Sequence, residues 1–122
     1  MIRRIIVKKF ILRWLSSAVS IYIIAKLFEN IYISGFIVAL WAAVILGIAN
    51  TIVKPMLIIL TLPINIVSLG LFTFVVNGLI LKLSAGIVPG FRVNGLFGAI
   101  IASIVLSLLN LIITSVFGIS ED

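Results

Sequence analysis

The chain has 122 residues, 64% hydrophobic and only 10% charged, which is more apolar surface than one small soluble core can enclose, so a bilayer must take the remainder. It has no Cys and no His, and its three carboxylates, Glu29, Glu121 and Asp122, lie outside the hydrophobic runs; this excludes thiolate, imidazole and paired-carboxylate chemistry and a buried proton-relaying acid, so neither enzymatic activity nor a metal or other cofactor is expected. The net charge of +6 does not point to nucleic acid, because five of the nine cations (Arg3, Arg4, Lys8, Lys9 and Arg13) crowd the first thirteen residues beside an apolar run, without the aromatic platforms of a single-strand binder.

Four apolar runs follow in chain order, at about residues 11–28, 36–53, 64–83 and 96–117. At about 1.5 Å per residue each is roughly 27 to 33 Å long, which matches a hydrocarbon core of about 30 Å. The fold class expected is therefore an all-α integral membrane protein, one membrane domain over residues 1–122 with four transmembrane helices. The basic start of the first run fits a signal peptide, but its small residues Ser16, Ser17 and Ala18 come too early and the apolar residues continue beyond them, so retention as an anchor is expected.

Cations set the orientation. The basic amino terminus and Lys54 belong on the cytoplasmic side and in contact with anionic lipid headgroups. The turn at residues 29–35, Lys82 and Arg92 then fall outside, and the carboxyl terminus returns to the cytoplasm. Arg92 opposes the charge rule, but five amino-terminal cations outweigh it. Lys54 and Lys82 stand at helix ends, where long stems reach the headgroups. Trp14, Tyr22 and Tyr32 suit interfacial anchoring.

Between the second and third runs, Met56 to Leu62 is apolar but too short to cross. Pro55 removes a backbone donor and disfavours helical geometry at Lys54, which predicts a kink or break there and an interfacial or bent segment over residues 54–63. Residues 84–95 contain three glycines and a proline and read as a turn, within which Phe91 and Val93 alternate with polar neighbours as a short extended piece on the outer surface.

Small and polar residues recur at helical spacing. Ala39, Ala43, Gly47, Asn50 and Lys54 share one face of the second run, and Gly95, Ala99, Ser103, Ser107, Asn110 and Thr114 one face of the fourth. Such faces let helices approach closely, either within one monomer or against a second subunit. Asn50, Asn77 and Asn110 put a carboxamide on each of the last three spans, either as inter-helix hydrogen bonds worth about 0.6 to 2 kcal/mol or as the lining of a hydrated path between subunits. The serines have no base beside them, so acyl transfer is not expected.

Asn50 with Lys54-Pro55, then Thr61-Leu62-Pro63, the span containing Asn77, and Val88-Pro89-Gly90-Phe91 leading through Val93 to Gly95 resemble the phage holin superfamily IV proteins, a small four-span family that includes bacterial chromosomal proteins of the YvlD type. The resemblance covers residues 36–109. It implies small proteins of the bacterial cytoplasmic membrane that self-associate and open a lesion, with no catalytic residues; where the family carries arginine before the first proline, Lys54 keeps the charge and loses bidentate phosphate binding. The alternative is a non-pore envelope protein that joins another membrane protein or supports stress tolerance.

Overall fold

The computed structural model describes residues 2–68 and 70–116. Phe117, the expected end of the last run, and the carboxylates Glu121 and Asp122 lie outside the described residues. The elements are helix α1 (Ile2–Leu27), strand β1 (Ile31–Ile33), helices α2 (Phe36–Leu60), α3 (Leu62–Val67) and α4 (Phe72–Ile87), strand β2 (Phe91–Val93) and helix α5 (Leu96–Val116). Three of the helices, α1, α2 and α5, are long and apolar enough to cross a bilayer. At 16 residues, α4 rises only about 24 Å, and α3 before it carries no charge and exposes Leu62, Ile64, Ile66 and Val67. The protein is an all-α four-span membrane protein with a bent segment between its second and third spans.

Four boundaries differ from those expected, the first being that α1 begins at Ile2 where its apolar run starts at residue 11. Of the kink or break expected at Lys54–Pro55, the break does not form: α2 runs through Pro55 to Leu60, and the chain turns at Thr61, just before Pro63. Pro55 leaves the carbonyl one turn earlier without its helical donor, and a helix end nearby tolerates that loss. The third span begins at Phe72 instead of Ile64, because α3 takes Leu62–Val67 and the chain turns at Ser68 and again at Gly70 and Leu71. It ends at Ile87 instead of Leu83, so the helix takes the first four residues of the expected turn; buried Ser84 and Ala85 hold it there, with the Ser84 hydroxyl donating to the Ile80 carbonyl at 2.8 Å.

The extended piece at residues 91–93 does form. It pairs antiparallel with β1, in the register Ile31 with Val93, Tyr32 with Arg92 and Ile33 with Phe91. Phe91 and Val93 are buried against protein, and Phe91 is the largest fully enclosed side chain. This small sheet caps one end of the bundle, while α1 begins and α5 finishes at the other.

That register discloses a repeat. Residues 60 apart stand in equivalent places: α1–β1–α2 is matched by α4–β2–α5. Tyr32 and Arg92 are equivalent and pair with each other, and the pairs on either side exchange when the halves are exchanged, so a pseudo-two-fold axis passes between the strands. Backbone bonds repeat in the same way. Ser34 N donates to Gly90 O at 2.9 Å and Asn94 N to Asn30 O at 2.8 Å; Ala39 N donates to Gly35 O and Ala99 N to Gly95 O, both at 3.1 Å. Both halves start at the same end, so the axis runs along the helices, as in parallel-repeat membrane proteins. Around it the helices form a ring in which α2 packs on α1 and α4, and α5 on α4 and α1.

Candidate functional site

The two small-residue faces meet the axis. On α2 the buried residues are Ala39, Ala42, Ala43 and Leu46; on α5 they are Ala99, Ala102, Ser103 and Leu106, the same positions 60 residues later. Their small side chains allow backbones to close in, the contact that holds helices together where lipid is as apolar as leucine. Helices α4 and α5 approach closely at Gly78, where an added Cβ would stand 2.6 Å from Ile100 Cγ1. Its counterpart on α1 is Ala18, fully buried. Gly95, the first residue of the expected α5 face, instead serves the turn before the helix, with φ at +81°.

Away from the sheet the faces come out of the core. Gly47, Asn50 and Ser107 are exposed and Asn110 is half-buried. Together with Ser17 of α1, Leu46 and Leu106 they line a cavity of about 120 Å³. Leu46 and Leu106, equivalent by the repeat, lie one turn nearer the sheet than Asn50 and Asn110. Ser107 Oγ donates to Ser103 O at 3.0 Å. The buried Oδ1 of Asn110 has no hydrogen-bond partner among the described residues. Asn77 lies half-buried on α4 at the position equivalent to Ser17 and does not line the cavity. Among the described residues, no hydrogen bond joins Asn50, Asn77 or Asn110 to another helix.

Beside this cavity, a groove of about 480 Å³ runs between α1 and α2 and shares Ser17, Ala43 and Gly47 with it; Arg13, Trp14 and Phe10 form its other wall. The Trp14 indole, expected as an interfacial anchor, donates Nε1–H to the Leu40 carbonyl of α2 at 2.8 Å and so ties the two helices. Arg3, Arg4, Lys8 and Arg13 are exposed along the free end of α1, with Lys9 and Lys54 half-buried near them. At the opposite end the exposed Lys82 donates from Nζ to the Val93 carbonyl at 3.2 Å, and the Arg92 guanidinium lies 5.1 Å from the Tyr32 ring centroid.

One functional element has no counterpart in the sequence reading. Asn65 is buried in α3 and organises the bend: its Nδ2 donates to Thr61 Oγ1, its Oδ1 accepts from Thr73 Oγ1, both at 3.1 Å, and its carbonyl accepts from Gly70 N at 2.7 Å. The available signal was a single carboxamide in the otherwise apolar run Leu62-Pro63-Ile64-Asn65-Ile66-Val67.

Residues 8–112 match the family model described as mycobacterial 4 TMS phage holin, superfamily IV. The chain is 41% identical over 100 residues to an uncharacterized membrane protein, YvlD, of Bacillus subtilis (strain 168), a match covering 81% of this chain and 84% of that protein. It is 28% identical over 113 residues to an uncharacterized protein, SCO3922, of Streptomyces coelicolor (strain ATCC BAA-471 / A3(2) / M145), covering 84% and 90% respectively. No solved structure matches the chain.

Proposed function

The chain belongs to the superfamily IV phage holins and is a holin-like small membrane protein, and on that premise we propose that it self-associates in the bacterial cytoplasmic membrane and permeabilises it without catalysing a reaction. The observation that carries the reading is the change of character along the α2 and α5 faces. Near the sheet both faces are spent inside the monomer; beyond Leu46 and Leu106 the exposed Gly47, Asn50 and Ser107 form a small, polar seam on an otherwise lipid-facing surface. Small residues at such a seam allow a second copy to approach, and carboxamides left in hydrocarbon favour any partner that hydrogen-bonds them. Anionic lipids are the other partner proposed, through Arg3, Arg4, Lys8, Lys9, Arg13 and Lys54. Those six cations lie at one end, against Lys26, Lys82 and Arg92 at the other, which supports a cytoplasmic position for the end that begins α1.

A second reading has its own support. Because Ala39, Ala43, Ala99 and Ser103 are already covered within one chain, an assembled ring would have no continuous polar wall across the whole bilayer, and a non-pore role beside another envelope protein fits that surface. Release of a dye trapped in liposomes containing anionic lipid separates the two. Permeabilisation by assembly predicts release that rises more steeply than linearly with the protein-to-lipid ratio. Full insertion with no release at any ratio leaves the non-pore role.

A further inference from the structure

We propose that the cavity between Ser17, Asn50, Ser107 and Asn110 is a water-binding site within the membrane, present in the single chain and filled through the groove that holds Arg13. It stands on the cavity's chemistry and not on permeabilisation, so either can fail without the other. Three observations lead to it. The first is the orphan acceptor: the buried Oδ1 of Asn110 faces no donor among the described residues, and a carboxamide oxygen left unpaired in a low-dielectric interior favours any small donor that can reach it. The second is the space, about 120 Å³, well above the roughly 10 to 15 Å³ that one water requires, and bordered by the two to four polar partners that such a water needs. The lining has donors and acceptors and no formal charge. It therefore suits a neutral amphoteric ligand and lacks the carboxylates that would hold a cation.

The third is the way in. The groove beside the cavity carries Arg13 and meets it at Ser17, Ala43 and Gly47. Arg13 is 14 residues from the sheet end of α1, about 21 Å along the helix, and an arginine at that depth draws headgroups and water inward. At Gly47 no side chain closes the passage: a Cβ added there meets nothing within 4 Å. Toward the sheet, Leu46 and Leu106 end the polar lining, and the fully buried Ala42 and Ala102 follow. The water thus occupies one half of the bundle.

The full chain contains no cysteine, so single cysteines report directly. Ser107→Cys places a thiol in the cavity, and Leu108→Cys places one at the same depth on the exposed, lipid-facing side. In liposomes, Ag⁺ is applied and the thiol left unreacted is read by maleimide labelling after denaturation. Thiolate forms in water and is suppressed in hydrocarbon by two or more pKa units, so the Ser107→Cys chain is expected to react about 100-fold faster than the Leu108→Cys chain. Adding Gly47→Leu fills the passage and slows that reaction about tenfold, an effect of ~1.4 kcal/mol on the barrier. Equal rates for the two thiols, or a rate unmoved by Gly47→Leu, overturn the proposal. The unaltered chain supplies a second reading: magnetisation transfer from water to the Asn110 carboxamide protons in a bilayer sample is expected, and its absence rejects the site.

Discussion

Tyr32 and Arg92 show how single residues carry the arrangement. They occupy equivalent positions in the two halves, pair across the strands, and put a cation 5.1 Å from a ring at the point where the axis leaves the protein. Gly90 has φ at +87°, and a Cβ there would also stand 2.6 Å from Ser34 Oγ. Gly90→Ala is therefore expected to cost about 1 to 2 kcal/mol, read as earlier unfolding in a detergent titration. Gly78→Leu drives a side chain into Ile100 and its backbone, and should cost about 1 to 3 kcal/mol or more. Ser16 is the opposite case. Its hydroxyl is fully buried with no partner among the described residues, so Ser16→Ala is expected to be neutral or stabilising by up to about 1 kcal/mol; a clear loss of stability would mean that the hydroxyl is bonded.

At the scale of elements, the bend between α2 and α4 is held by side chains, because α3 has only six residues and cannot be stable by itself. Asn65 links Thr61 before it to Thr73 after it. Asn65→Leu removes both bonds and is expected to loosen residues 61–73, seen as faster amide exchange confined to that stretch while the sheet end is unchanged. The far end of α4 gives a cleaner comparison. Gly86 lies inside the helix, exposed, with space for a Cβ and no positive φ. Gly86→Ala should stabilise by about 0.4 to 1 kcal/mol, whereas an alanine in the turn that the glycines suggested would give no such gain.

The whole molecule is two hairpins, each a helix, a strand and a helix, joined through the bend. Each packs against the other around the axis, α2 on α4 and α5 on α1. Residues 1–61 and 62–122, expressed together as separate chains, are expected to co-purify as a helical complex, while either piece alone should not remain monomeric in detergent. Failure to associate would show that the bend does more than connect.

Hydrophobic runs of bilayer length, a composition without Cys or His and the cluster of cations are local properties, so the four helices, the membrane as solvent and the faces rich in small residues could be read from the chain alone. The spacing of Ala39, Ala43, Gly47 and Asn50 was legible because a helix repeats every 3.6 residues whatever it packs against. What lay beyond it depends on contacts between residues far apart in the chain. The symmetry keeps side-chain size and burial, as in Ala18 with Gly78 and Ala43 with Ser103, while identity survives at few positions such as Ala39 with Ala99 and Asn50 with Asn110; lipid accepts almost any apolar residue on the remaining faces. Packing between distant segments settles that α2 continues through Pro55, that residues 31–33 and 91–93 form a sheet, and that two carboxamides 60 residues apart border one cavity. Each of those outcomes is set by a partner element, and local sequence carries no term for the partner.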